Sequence, residues 1–124
     1  IETSDLIKLR DELSAYLAYP LLVIPELIAK VGKEMYKKGM IKPPDDVVEG
    51  IKAMLLETDI ELIPPKEEHL ITAIKLRALG HKDIFDNILY ATALHEKAYF
   101  LTRDKVFIDF LKEHELPTNF IITR

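Results

Sequence analysis

Asp83-Ile84-Phe85-Asp86-Asn87-Ile88-Leu89-Tyr90-Ala91-Thr92-Ala93-Leu94-His95-Glu96-Lys97-Ala98-Tyr99-Phe100-Leu101-Thr102-Arg103-Asp104 is the run on which the fold turns. Its first part, Asp83 to Lys97, reads as a helix. Tyr99-Phe100-Leu101-Thr102 reads as a short apolar strand, and Asp104 opens a further helix to His114 with Phe107, Phe110 and Leu111 inward. Phe120 to Ile122 reads as the last strand.

Working back toward the N-terminus, the pattern repeats. Lys66 to Leu79 is expected to be helical, with Leu70, Ile74 and Ala78 on one face and Gly80 as the stop. Asp59 to Pro64 alternates like a strand and is closed by two prolines. Pro43-Pro44-Asp45-Asp46 opens a helix with acids in its first turn, where the dipole favours them, and Val47, Ile51, Met54 and Leu55 form its apolar stripe. Pro25 is placed to begin a helix that ends near Gly39. Leu21-Leu22-Val23-Ile24, between Pro20 and Pro25, reads as a buried strand. Residues 3 to 18 carry Leu6, Leu9, Leu13 and Leu17 at helical spacing.

Strands thus alternate with helices, and the connections are too long for hairpins. The expected fold class is α/β, a three-layer α/β/α arrangement around a central, mainly parallel sheet. Such sheets bind ligands beyond the carboxyl ends of their strands.

The chain has 124 residues, 48% hydrophobic and 31% charged, so one domain spanning 1–124 with a single core is expected. The absence of cysteine excludes a disulfide scaffold, thiolate metal sites and a cysteine nucleophile. No apolar run approaches the length of a membrane span, and no signal peptide is evident, so a cytoplasmic location is expected. A net charge of −4 argues against polyanion binding over the whole surface; a nucleic-acid substrate would need a local basic patch or a metal ion. Lys, Glu and Ile are plentiful while Gln, Cys and Trp are absent, a bias of heat-loving prokaryotes.

Three acids stand out by position. Asp104 lies two residues beyond the strand Tyr99 to Thr102, and Asp86 lies in the first turn of the preceding helix. Glu2 follows Ile1, and is also at a strand's carboxyl end if Ile1 closes a first strand. Clustered carboxylates repel one another and need a cation, and an oxygen-only donor set suits Mg²⁺ or Mn²⁺. Each also has a plain structural reading: Asp86 as a first-turn acid, Asp104 as a helix cap, Glu2 as a terminal residue. The histidines at 69, 81, 95 and 114 lack metal-ligand spacing and read as surface or boundary residues.

The combination resembles the PIN domain, a family of metal-dependent ribonucleases that includes the VapC-type toxins. Asp86-Asn87-Ile88-Leu89-Tyr90-Ala91-Thr92-Ala93 resembles the family's D-A-x-x-x-A-x-A, and Leu101-Thr102-Arg103-Asp104 its strand ending in T-x-D. Ile1-Glu2-Thr3-Ser4-Asp5-Leu6-Ile7 resembles its opening phrase, and Val23-Ile24-Pro25-Glu26-Leu27 its second strand and following helix. The resemblance implies an endoribonuclease in which Glu2, Asp86 and Asp104 hold Mg²⁺ or Mn²⁺. Ser4 and Thr102 would hydrogen-bond a carboxylate or phosphate. It implies an RNA substrate, an antitoxin partner and a homodimer, with further residues upstream of Ile1 completing the first strand.

Two departures from the family pattern count against that reading. The first acid is Glu2 where the family has Asp, and the slot of the second acid holds Val31 or Lys30. Glu26, Lys30 and Glu34 have i,i+4 spacing, so Lys30 is expected to point to solvent between the two acids. The departures motivate an alternative: a catalytically degenerate PIN-like domain that binds protein or RNA. An unrelated doubly wound fold, such as a phosphoacceptor receiver domain, is disfavoured because no acidic pair precedes a lone strand-end Asp with a later Lys.

Overall fold

The computed structural model describes residues 17–56 and 60–123. The elements, in order, are β1 (Leu17–Pro20), α1 (Val23–Lys38), α2 (Asp45–Leu56), β2 (Ile60–Ile63), α3 (Glu67–Ala78), α4 (Ile84–Glu96), β3 (Phe100–Leu101), α5 (Lys105–Glu113) and β4 (Ile121–Ile122). The fold is α/β/α, with the strand pairs parallel and joined through helices. β1 runs beside β2 with Leu17 opposite Ile60 and Pro20 opposite Ile63, and the Leu21 N–H extends that ladder to the Ile63 carbonyl at 2.8 Å. β3 runs beside β4 with Phe100 opposite Ile121, and the Thr102 N–H extends this second ladder to the Ile122 carbonyl at 3.1 Å. Among the described residues the strands form these two separate pairs rather than one continuous sheet.

The expected strand at Leu21 to Ile24 is displaced. The extended segment is Leu17-Ala18-Tyr19-Pro20, Leu21-Leu22 is a turn, and Val23 already begins α1. Proline accounts for the shift. Pro25 falls within the first turn of α1, where a missing N–H breaks no helical bond, so the helix can start two residues before it. Pro20 sits at the end of β1. The helix expected over residues 3 to 18 lies mostly outside the described residues, and its end, Leu17-Ala18, is strand.

Gly39 closes α1 in the left-handed conformation, φ 66°, which costs a glycine nothing. Gly80, φ 117°, makes the turn after α3 in the same way. On α3 the inward face is not the expected Leu70-Ile74 line, which is exposed. His69 and Leu76 are the buried positions, one helical repeat of seven apart. His69 is therefore interior rather than a boundary residue, because it has local work. Its Nδ1 accepts the Lys66 N–H at 3.2 Å, an otherwise orphaned donor at the helix start, and its Nε2–H donates to Glu96 Oε1 at 3.0 Å.

The main core joins α3, α4, β3 and α5. Leu76, Tyr90, Ala93, Phe100, Phe107 and Leu111 are buried together. Tyr90 and Phe107 meet edge to face at 6.0 Å between ring centres, and so do Phe100 and Phe107. The Tyr90 hydroxyl donates to the Pro117 carbonyl at 2.8 Å, so its polar end is satisfied inside the core.

Candidate functional site

The site is built from two helix starts. Asp83 caps α4: its carboxylate accepts the Asp86 N–H at 3.2 Å. Asp86 follows in the first turn. Asp104 caps α5 by accepting the Phe107 N–H at 3.1 Å. Thr102 follows β3, and its buried hydroxyl accepts the Asp104 N–H at 3.1 Å, which fixes the bend from strand to helix. Capping accounts for Asp83 and contributes to the choice of Asp104. It does not account for Asp86, whose carboxyl has no capping duty.

Asp86 is half-buried, and its carboxyl is pushed up to about 6. Burial is the main cause, and the nearby negative charges of Asp83 and Asp104 add to it; His81 and Lys30 pull the other way. Asp86 and Asp104, at the starts of two helices, are thus within electrostatic reach of each other. Asp83 behaves differently. Burial also pushes it up, but hydrogen bonds from the Asp86 N–H and Lys30 outweigh that and hold its carboxyl below the usual range.

A clasp keeps the two helix starts together. His81 Nδ1–H donates to Asn87 Oδ1 at 2.8 Å, and Asn87 Nδ2 donates back to the His81 carbonyl at 3.0 Å. The His81 ring packs on Phe107 and Phe110 of α5, at 4.4 and 5.2 Å between centres. Asn87 is completely buried. The loop before α4 is therefore pinned both to α4 and to α5. Sequence reasoning missed His81 and Asn87. The available signal was Asn87 itself, a polar residue directly after the candidate acid, where the resembling motif has alanine.

Lys30 departs from expectation. Its ammonium does not stand in solvent between Glu26 and Glu34. It reaches across from α1 to α4 and meets both Asp83 carboxylate oxygens at 3.2 Å, lying 4.8 Å over the Phe85 ring. The reason is that the start of α4 offers two attractions at once, a carboxylate and an aromatic face. Glu34 pairs instead with Lys37, at 3.9 Å.

Glu2 and Ser4, the remaining expected site residues, lie outside the described residues. Among the described residues no group of three or more metal-binding side chains is assembled. Asp86 and Asp104 nonetheless fit a hard divalent ion. Both offer oxygen, their like charges already disfavour ionisation of Asp86, and Mg²⁺ is commonly held by one or two carboxylates together with substrate phosphates. A hollow of about 290 Å³ lies between α1 and α2, lined by Val31, Met35, Met40, Pro44 and Val47 together with Lys30, Glu34 and Lys38. It contains neither Asp86 nor Asp104 and offers little chemistry beyond the charged ends at its rim.

A family model described as the PIN domain matches residues 3–112. No curated protein and no solved structure matches the chain.

Proposed function

The chain belongs to the PIN domain family, a nuclease-type fold, and on that premise we propose that it is a metal-dependent endoribonuclease. The observation that carries the proposal is the Asp86 carboxyl at a helix start, pushed up to about 6 by burial and by the charges of Asp83 and Asp104. Repulsion of that kind is relieved by a cation. Asp86 and Asp104 would hold Mg²⁺ or Mn²⁺, with Glu2 as a third ligand. When bound, the ion supplies an activated water and neutralises charge that builds on a phosphate.

The chain's own residues do the remaining work. Asp83 fixes the first turn of α4 and thereby the direction of Asp86. Thr102 sets the bend that carries Asp104 and, since a hydroxyl that accepts still has a proton to donate, can offer that proton to a phosphate oxygen. Ser4 is the second proposed substrate contact. The partners are an RNA substrate, a second copy of the chain and an antitoxin, in the cytoplasm. Exposed Ile28, Tyr36, Ile41 and Leu56 on and after α1 and α2 support a covered face. A monomer by sedimentation, in the presence and absence of co-expressed chains, would remove that part. Among the described residues no helix is long and apolar enough to cross a membrane.

The test is cleavage of a mixed-sequence RNA in Mn²⁺. The parent should cleave, while chelator, Asp86→Asn and Asp104→Asn should each abolish cleavage. A second reading, a degenerate domain that binds without cutting, is favoured by one observation: Lys30 brings an ammonium to the acidic crevice, where it offsets carboxylate charge without metal. That reading expects RNA binding that survives chelator, and no cleavage.

A further inference from the structure

Lys30 is a feature of the site that a purely carboxylate site does not use. The charges of Asp83 and Asp104 each act on Asp86 there. Lys30 supplies one positive charge at 3.2 Å from Asp83, and its field also reaches Asp86. The ammonium is not a loose surface charge. It comes from a helix, α1, that packs on α4, and it is held on two sides, by a carboxylate and by the Phe85 ring. Half of the side chain is still open to solvent, 51%. A cation that is fixed yet accessible, beside a carboxylate pair, can meet an incoming anion with little further ordering.

Lys30 thus places a fixed positive charge beside the carboxylates that would hold the ion. We propose that Lys30 is a built-in cation of the site: the crevice takes a single divalent ion, and the Lys30 ammonium meets the RNA phosphate where a second ion would otherwise stand. The inference rests on the nuclease reading and goes further, in giving the metal stoichiometry and a phosphate-binding residue. No proton is transferred by Lys30. It leaves Asp83 partly or wholly for the phosphate, and Asp83 keeps the Asp86 N–H.

Two binding measurements test this without reference to turnover. Mn²⁺ titration by calorimetry should give one ion per chain for the parent. Lys30→Gln removes a repelling charge and should bind Mn²⁺ roughly threefold to tenfold more tightly. Single-stranded RNA binding in chelator, measured against salt, should weaken in Lys30→Gln, and the slope of log K on log salt should fall by about 0.7, the loss of one phosphate contact. Lys30→Arg should keep the parent slope. Equal melting temperatures confirm that the variants fold, as expected for a half-exposed side chain. Two ions per parent chain, or a Lys30→Gln chain with unchanged Mn²⁺ affinity and unchanged slope, overturns the inference alone. A parent that takes up neither Mn²⁺ nor RNA overturns it together with the nuclease reading.

Discussion

Asp104 performs two tasks with one carboxylate: it caps α5 through the Phe107 N–H and its charge acts on Asp86. The two can be separated by substitution. Asparagine caps nearly as well as aspartate but carries no charge, whereas alanine does neither. Asp104→Asn should melt at or slightly above the parent without metal, and Asp104→Ala should lose about 1 kcal/mol, or roughly 3–5 °C. Thermal melts of the two variants in chelator check this; equal melting points would mean that the cap is worth nothing. Asp86 permits a pH experiment. Its folded pKa, about 6, lies above the ordinary carboxylate value of 3.8, so the fold prefers its protonated form. That preference stabilises the protein at low pH and is lost as pH rises from about 4 through 6. Asp86→Asn should therefore match the parent near pH 4 and exceed it at pH 7 by about 1–3 kcal/mol. Urea unfolding at the two pH values is the measurement, and a difference independent of pH would refute the assignment.

The α4 start shows what an element needs beyond its own propensity. Asn87 satisfies the His81 ring and carbonyl inside the protein, and His81 in turn rests on Phe107 and Phe110. Asn87→Ala would leave those groups without a partner, at a cost of about 1–3 kcal/mol. It should also weaken Mn²⁺ binding, since it frees the loop that aims Asp86; calorimetry would read both losses. Beyond the presence of Asn87 itself, none of this was legible beforehand, because it depends on which side chains a fold brings opposite one another. What was legible came from local rules. Gly39 and Gly80 announce the ends of α1 and α3, and Asp83 and Asp104 announce the starts of α4 and α5. The rules failed where two of them competed. Four apolar residues between prolines read as a strand at Leu21 to Ile24, yet Pro25 is tolerated inside a first helical turn, and the strand lies earlier. On α3 Leu70, Ile74 and Ala78 suggested the inner face, but Leu76 and a buried histidine with partners for both nitrogens took it. Lys30 was misread because i,i+4 spacing sees only its own helix.

At the scale of the molecule, metal and stability are linked. An ion that binds the folded chain and not the unfolded one adds RT ln(1 + [L]/Kd), about 2.7 kcal/mol at a hundredfold excess over Kd. Mn²⁺ at mM concentration should raise Tm by about 5–15 °C, and Asp104→Asn should abolish the rise. An unchanged melting curve would count against a metal site. The core itself has a further consequence. Leu76, Tyr90, Ala93, Phe100, Phe107 and Leu111 come from one continuous stretch of chain, and α3, α4, β3 and α5 follow one another within it. Contacts close in sequence require little loop closure, so this segment is suited to assemble early, ahead of the pairing of β1 with the more distant β2. Asp83, Asp86 and Asp104 all lie inside the early segment. A partly folded chain, with β1 and β2 still apart, would already present those carboxylates together, so that metal uptake need not wait for the native state. Native-state hydrogen exchange should then find the amides of α4 and α5 as the slowest of all, and those of β1 and β2 opening first even with Mn²⁺ bound.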